Sequence, residues 1–187
     1  MKKKVIYFIL IFICLIAGFI YLTSNREYPN DDNTLYTKTF DNKIVKFERY
    51  DYSLGQNQIV GVEESVNEGK TYEKLTSEPI VVSNESKFIF LDKNLGFVIS
   101  TPNLNKLNDY IGLKVTQDGG KTFVNAKIHY DNPDIEILTL EDFPYKENGV
   151  LKLPCSIYQI KKDDSGYEDV KLIFISTDNG LTWNLLK

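Results

Sequence analysis

Four groupings of side chains in this sequence could carry chemistry. The first is "STDNGLTW", Ser176 to Trp183, which sets a hydroxyl, a carboxylate, a glycine, a second hydroxyl and an indole at fixed offsets. A carboxylate between two hydroxyls could hold a cation, or it could do no more than satisfy the amides of a turn. The second is Cys155 with His129, a thiol and the single histidine, the makings of a nucleophile and its base. The third is a pair of acidic stretches, "HYDNPDIE" from His129 to Glu136 and "DDSGYED" from Asp163 to Asp169, which offer oxygen ligands to calcium. The fourth is the arginine complement, Arg26 and Arg49 alone.

Most of these readings fail on residue counts or spacing. Neither acidic stretch has the ligand spacing of a recognised calcium loop, and both read as solvated connections between strands. One histidine excludes the usual multi-histidine metal sites. Cys155 lies in "LPCSIY", the pattern of a buried strand cysteine rather than of an activated thiol. The chain contains no G-x-S-x-G motif and no phosphate loop. The expectation is therefore no catalytic residue, no metal and no cofactor.

The elements around these groups are short apolar or alternating runs. They include "KIVKFERYD", "QIVGVEE", "KFIFLD", "GFVIST", "YIGLKVT", "VLKLPCSIYQIK" and "VKLIFIS", separated by Asn, Asp, Gly, Ser and Lys. Nothing convincing repeats every 3.6 residues, and aromatic residues make up 13% of the chain, with 12 Tyr and 11 Phe. Rings and β-branched chains suit a pleated surface, so the pattern predicts an all-β, antiparallel fold of the sandwich, barrel or propeller kind.

The first grouping occurs three times. "SVNEGKTY" begins at Ser65, "TQDGGKTF" at Thr116 and "STDNGLTW" at Ser176, with starts 51 and then 60 residues apart. The copies align Ser65, Thr116 and Ser176; Asn67, Asp118 and Asp178; Gly69, Gly120 and Gly180; Thr71, Thr122 and Thr182; and the rings Tyr72, Phe123 and Trp183. A tight loop between two strands needs a residue that tolerates positive φ and acceptors for the amides it strands. Glycine supplies the first, and the Asp or Asn side chain supplies the second. The ring can fold back over the hairpin and keep water out.

These three stretches resemble Asp boxes, the S/T-x-D-x-G-x-T-W/F motif of bacterial neuraminidase repeats. The third is a full match, the second substitutes Thr116 and Phe123, and the first carries Asn67 in place of the acid. The resemblance implies a sialidase-like, β-propeller-like domain in which each box joins the third and fourth strands of a four-stranded blade, away from the ligand channel. About three blades are implied, over Leu35 to Leu75, Ile80 to Tyr130 and Ile135 to Leu186. Closed propellers usually have at least four blades, so the stack is either small and open or completed by other copies that cover its edges. The box residues are thus expected to build turns. The sialidases' three-arginine clamp on the substrate carboxylate cannot be assembled from Arg26 and Arg49, and lysine replaces planar bidentate recognition poorly. The resemblance implies architecture without that activity.

Ahead of this domain, Lys2, Lys3 and Lys4 precede an uncharged apolar run from Val5 to Leu22. At ~1.5 Å per residue such a run nearly spans a ~30 Å hydrocarbon core. Tyr21 to Ser24 supply no small-x-small cleavage site, and Ile13 stands before Cys14 where a lipid attachment site needs a small residue. One N-terminal transmembrane helix within residues 1–22 is expected, followed by a polar tether over 23–33 and an extracytoplasmic domain over 34–187. The basic residues before the span place that domain outside the cell membrane in a single-pass topology.

Setting the three leading lysines aside from the 22 basic residues leaves 19 against 26 acidic ones, about −7 formally. That balance argues against nucleic acid. With Cys155 alone outside the span, an intrachain disulfide there is impossible. The function expected is a non-catalytic, membrane-anchored, extracytoplasmic binding module for a protein partner, either an envelope assembly factor or, for an immunity-type protein, a toxin. The competing expectation is a glycan-binding or glycan-hydrolysing surface protein, the latter needing two carboxylates ~5 Å apart for retention. A stalk or sensor role ranks last, because Met1 to Lys4 leaves little to carry a message. The polar stretch "PNLNKLNDY", Pro102 to Tyr110, is a candidate contact loop.

Overall fold

Alternation dictates the strands. In "KIVKFERYDY" Val45 and Phe47 are fully buried on one face while Lys46 points to the other, a period of two that only an extended chain can give. The computed structural model describes residues 33–52, 57–100, 112–130, 137–160 and 166–186. They belong to a compact unit that begins at Asn33. The anchor, most of the tether, the 102–110 loop and the segments 131–136 and 161–165 lie outside the described residues. No helix among the described residues is long and apolar enough to cross a membrane.

Three sheets form. The first orders β1 (Thr34–Phe40), β2 (Lys43–Tyr52), β3 (Asn57–Ser65) and β4 (Glu73–Lys74) as an antiparallel meander, with β5 (Ile80–Ser83) also on β3. The second orders β6 (Lys87–Phe90), β7 (Gly96–Ile99), β8 (Leu113–Thr116) and β9 (Val124–Asn125). The third runs β10 (Lys127–His129), β15 (Thr182–Leu185), β14 (Tyr167–Ser176), β13 (Val150–Ile160) and β11 (Ile137–Leu140), with β12 (Tyr145–Glu147) also on β13. In each sheet the repeated motif fills the connection between the third meander strand and the fourth: β3 to β4, β8 to β9, and β14 to β15.

Two segments join sheets other than those expected. Ile80–Ser83 falls in the second of the repeats that the resemblance implies, yet it pairs with β3 over Asn57 to Val60. The reason is an unfinished edge: β4 pairs only with Glu63 and Glu64 before the chain turns away at Thr76, and the remaining amides of β3 need another partner. Lys127–His129 was assigned to the end of the second repeat, yet it pairs with β15, and in parallel rather than antiparallel register. After Ala126 donates its amide to Leu113 in the second sheet, Lys127 donates to Leu181 in the third motif copy, so one extended segment stitches two sheets.

The second sheet is buried on both faces. Phe88, Phe90 and Val98 pack with Val45, Phe47, Val60 and Val62 of the first sheet. Phe97, Leu113 and Val115 pack with Leu153, Phe174 and Trp183 of the third. Successive residues of β7, Phe97 and Val98, therefore enter different cores, each fully buried. Full burial of such a side chain contributes ~1.5–3 kcal/mol.

The motif glycines set the spacing between sheets. A Cβ on Gly120 would lie 2.8 Å from Val62 of the first sheet, and one on Gly180 would lie 2.5 Å from Phe97 of the second. Both residues sit at positive φ, 100° and 88°. Gly149 shares that conformation at 82° but has open space around it. Gly180→Ala is accordingly expected to cost about 2–4 kcal/mol and Gly149→Ala about 1–2 kcal/mol. Urea unfolding of the two variants checks this; equal losses would mean that the approach to Phe97 is not tight.

Candidate functional site

The third motif copy starts where β14 ends. Ser176 Oγ accepts the amides of Gly180 at 2.8 Å and Asp178 at 3.4 Å while donating to Asp178 Oδ1 at 2.7 Å. The carboxylate also accepts from Thr182, whose amide lies 2.9 Å from Oδ1 and whose hydroxyl lies 2.6 Å from Oδ2. Trp183 closes the turn: its indole N–H donates to Gly180 O at 2.9 Å, and the ring is fully buried 6.3 Å from Phe97. These bonds run within the turn itself, leaving the carboxylate little capacity for a cation or a water.

The second copy repeats the hydroxyl, carboxylate and amide bonds of the third. Thr116 Oγ1 accepts from Gly120 and donates to Asp118 Oδ1, both at 2.8 Å. Asp118 accepts the Thr122 amide at 3.0 Å and its hydroxyl at 2.6 Å. Phe123 takes the place of the indole, its ring 5.8 Å from Phe47 of the first sheet. At both acids, burial pushes the carboxyl up but is outweighed by the threonine hydroxyl and amide bonds, which hold Asp118 and Asp178 below the usual carboxylate range.

The first copy is degenerate in sequence and intact in geometry. Asn67 Oδ1 accepts from Ser65 Oγ at 2.9 Å and from the Thr71 amide at 3.0 Å. One bond reverses: Asn67 Nδ2 donates to Thr71 Oγ1 at 2.8 Å, where the acids accept from threonine. With no further sheet beside it among the described residues, Tyr72 lies under the Lys46 ammonium, 4.4 Å from ring centroid to Nζ.

The remaining candidate residues do not converge. Cys155 is 1% exposed, and burial, with Glu141 adding to it, pushes its thiol up to about 12. His129 lies on β10, separated from β13 by β15 and β14, which at ~4.8 Å per strand puts the two backbones about 14 Å apart. No nucleophile and base pair forms. Arg49 donates to Asn33 Oδ1 at 3.2 Å and stacks 4.7 Å over Tyr52, while Arg26 lies outside the described residues. Asp169 pairs with Lys171 at 3.0 Å. No group of three or more His, Cys, Asp and Glu that could hold a metal occurs among the described residues.

Residues outside the motif join the copies to one another. Thr76 Oγ1 accepts from Val62 N at 2.6 Å and donates to Gly120 O at 2.9 Å, tying the first sheet to the second copy. Gln117 Nε2 donates to Asp178 O at 2.8 Å and Asn179 O at 3.2 Å, tying the second copy to the third. A lone threonine and a variable glutamine carry no signal in one sequence. The Asn148–Gly149 turn before β13 does carry one, and it marks the β12–β13 hairpin with both residues at positive φ.

The family model of the BNR/Asp-box repeat matches residues 174–185, the end of β14 through β15. The chain carries a BNR/Asp-box repeat. The match covers the Asp box whose cage is the most complete, with the acid, both hydroxyls and the indole all engaged. No curated protein matches the chain.

The Asp-box cage predicts a particular pH response. A carboxyl held low in the folded state contributes stability that is fully present above its unfolded value of ~3.9 and is lost as pH falls through the folded value. Asp178→Ala should cost about 1–3 kcal/mol near neutral pH by stranding Thr182 and Ser176. Asp118→Asn, which copies the working arrangement at Asn67, should cost under ~1 kcal/mol and flatten the loss of stability below pH ~4. Thermal melts at neutral and acid pH check both variants.

Proposed function

We propose that this chain is a non-catalytic binding module, held by its N-terminal apolar segment on the outer side of a cell membrane, that recognises a protein partner. In this reading the three sheets are the blades of an open, propeller-like stack. The observation that carries it is the difference between the two outer faces. On the first sheet, Lys46 pairs with Glu48 at 3.0 Å and Glu63 at 3.4 Å, and Lys74 lies 3.8 Å from the Tyr50 ring centroid, so the face is closed by its own charges. A polar end of this kind is what terminal repeats of stacked proteins present to solvent.

The outer face of the third sheet is different. Ile173 and Ile175 belong to neither core, and their cross-strand neighbours are Pro154 and Lys152. Tyr145, opposite Lys152, is 40% exposed, and Leu186, bonded to Ile173, is 45% exposed. Apolar side chains on a rigid sheet, bordered by the Lys171–Glu141 and Lys152–Glu147 pairs, suit a protein contact with a charged rim. The acidic balance of the chain beyond the anchor favours a cationic partner, in line with either an envelope assembly factor or a toxin.

The test is capture of partners by the full chain from solubilised membranes of its own cell and of competitor cells, with Ile173→Lys as the control. The expected result is one stoichiometric protein, released by raised salt and weakened about tenfold or more by the substitution. Retention of glycan with no protein would replace this reading.

A further inference from the structure

The dipeptide Asn–Gly occurs twice in the chain, at Asn148–Gly149 and at Asn179–Gly180. Its chemistry is intrinsic: with no Cβ beside it, a glycine amide nitrogen can approach and attack the carboxamide of the preceding side chain. Local geometry decides whether that attack is open. Both asparagines are exposed and both lie at positive φ, 50° and 57°. Their glycines set them apart.

At the third Asp box the nitrogen is occupied. The Gly180 amide donates to Ser176 Oγ at 2.8 Å, the Asn179 carbonyl accepts from Gln117 Nε2 at 3.2 Å, and Gly180 is buried against Phe97. A ring closed through that nitrogen would have to break the box. At the β12–β13 hairpin the nitrogen is open. Asn148 and Gly149 are the two central residues of the turn between Glu147 and Val150, and their φ values of 50° and 82° match a type I′ turn. The Gly149 amide makes no hydrogen bond among the described residues. Gly149 is exposed, and open space lies where its Cβ would be.

We infer that Asn148 is a site of self-modification, in which the Gly149 nitrogen closes a five-membered imide on the Asn148 carboxamide. The bond from nitrogen to Cγ forms, that nitrogen gives up its proton, and Nδ2 leaves as ammonia. Water then opens the ring. Addition at the side-chain carbonyl leaves aspartate on the ordinary main chain, and addition at the backbone carbonyl leaves isoaspartate, with one more methylene in the main chain. Neither step changes an oxidation state. Either product carries a carboxylate where the chain had a neutral amide. It stands next to Glu147, the partner of Lys152, on the charged rim of the third sheet's outer face. That rim gains negative charge as the molecule ages. The conversion needs no partner, so the inference stands apart from the protein-partner reading.

The test is incubation of the full chain in detergent at mildly alkaline pH, folded and in guanidinium chloride, followed by peptide mapping with mass spectrometry that separates aspartate from isoaspartate. In the folded chain Asn148 is expected to convert to a mixture of the two about tenfold or more faster than Asn179, since the Gly180 amide reacts only when its bond opens. In guanidinium chloride the two sites are expected to convert at comparable rates. A folded chain in which Asn148 stays intact, or converts no faster than Asn179, overturns the inference. The same preference in the unfolded chain also overturns it, because sequence neighbours and not the turn would then select the site.

Discussion

The bond from the Asp178 carboxylate to Thr182, repeated at Asp118 to Thr122 and in reversed sense at Asn67 to Thr71, is the constraint on which the rest of the molecule depends. It closes a turn tightly enough that the next acceptor, Ser176 Oγ, captures the Gly180 amide, and that in turn fixes the glycine in a left-handed conformation. Only a residue without Cβ can then come so close to Phe97. Local hydrogen bonding therefore decides how near two sheets approach, and the apolar cores form at that distance. The carboxylates act on stability through geometry, and their lowered pKa is the electrostatic trace of the same bonds.

Cooperativity between sheets follows from the same device. Each later box is bonded to the unit before it, through Thr76 to Gly120 and through Gln117 to Asp178. Its ring packs against the same neighbour, Phe123 against Phe47 and Trp183 against Phe97. The first box has no earlier sheet among the described residues, and its ring is a tyrosine paired with a lysine rather than a buried apolar ring. A tyrosine suits this half-buried position, since its hydroxyl can stay in water while the ring meets the ammonium.

What could be read in the sequence was what is decided locally. The box spacing marks the ends of β3, β8 and β14, because hydroxyl, acid, glycine and ring must occupy fixed offsets to close the turn. The alternation of Val45, Lys46 and Phe47 shows which face is buried. The partners of β5 and β10 were not legible, since each is chosen by a vacant edge far away in sequence, and β4 and β9 are two residues each, too short for any periodicity. Asn67 departs from the acid of the motif, and its amide serves by reversing one bond.

Amide hydrogen exchange tests the central claim most directly, that the boxes hold the sheets together as one cooperative unit. The amides of Gly120 and Gly180, bonded to threonine and serine hydroxyls, and of Lys127, bonded to Leu181 where its segment passes from the second sheet to the third, are the reporters. The account predicts that all three exchange only through global unfolding, at the same free energy as the β2, β7 and β13 core amides. Fast exchange of the glycine amides while the core strands stay protected would contradict it, making the boxes passive loops on sheets that pack without them.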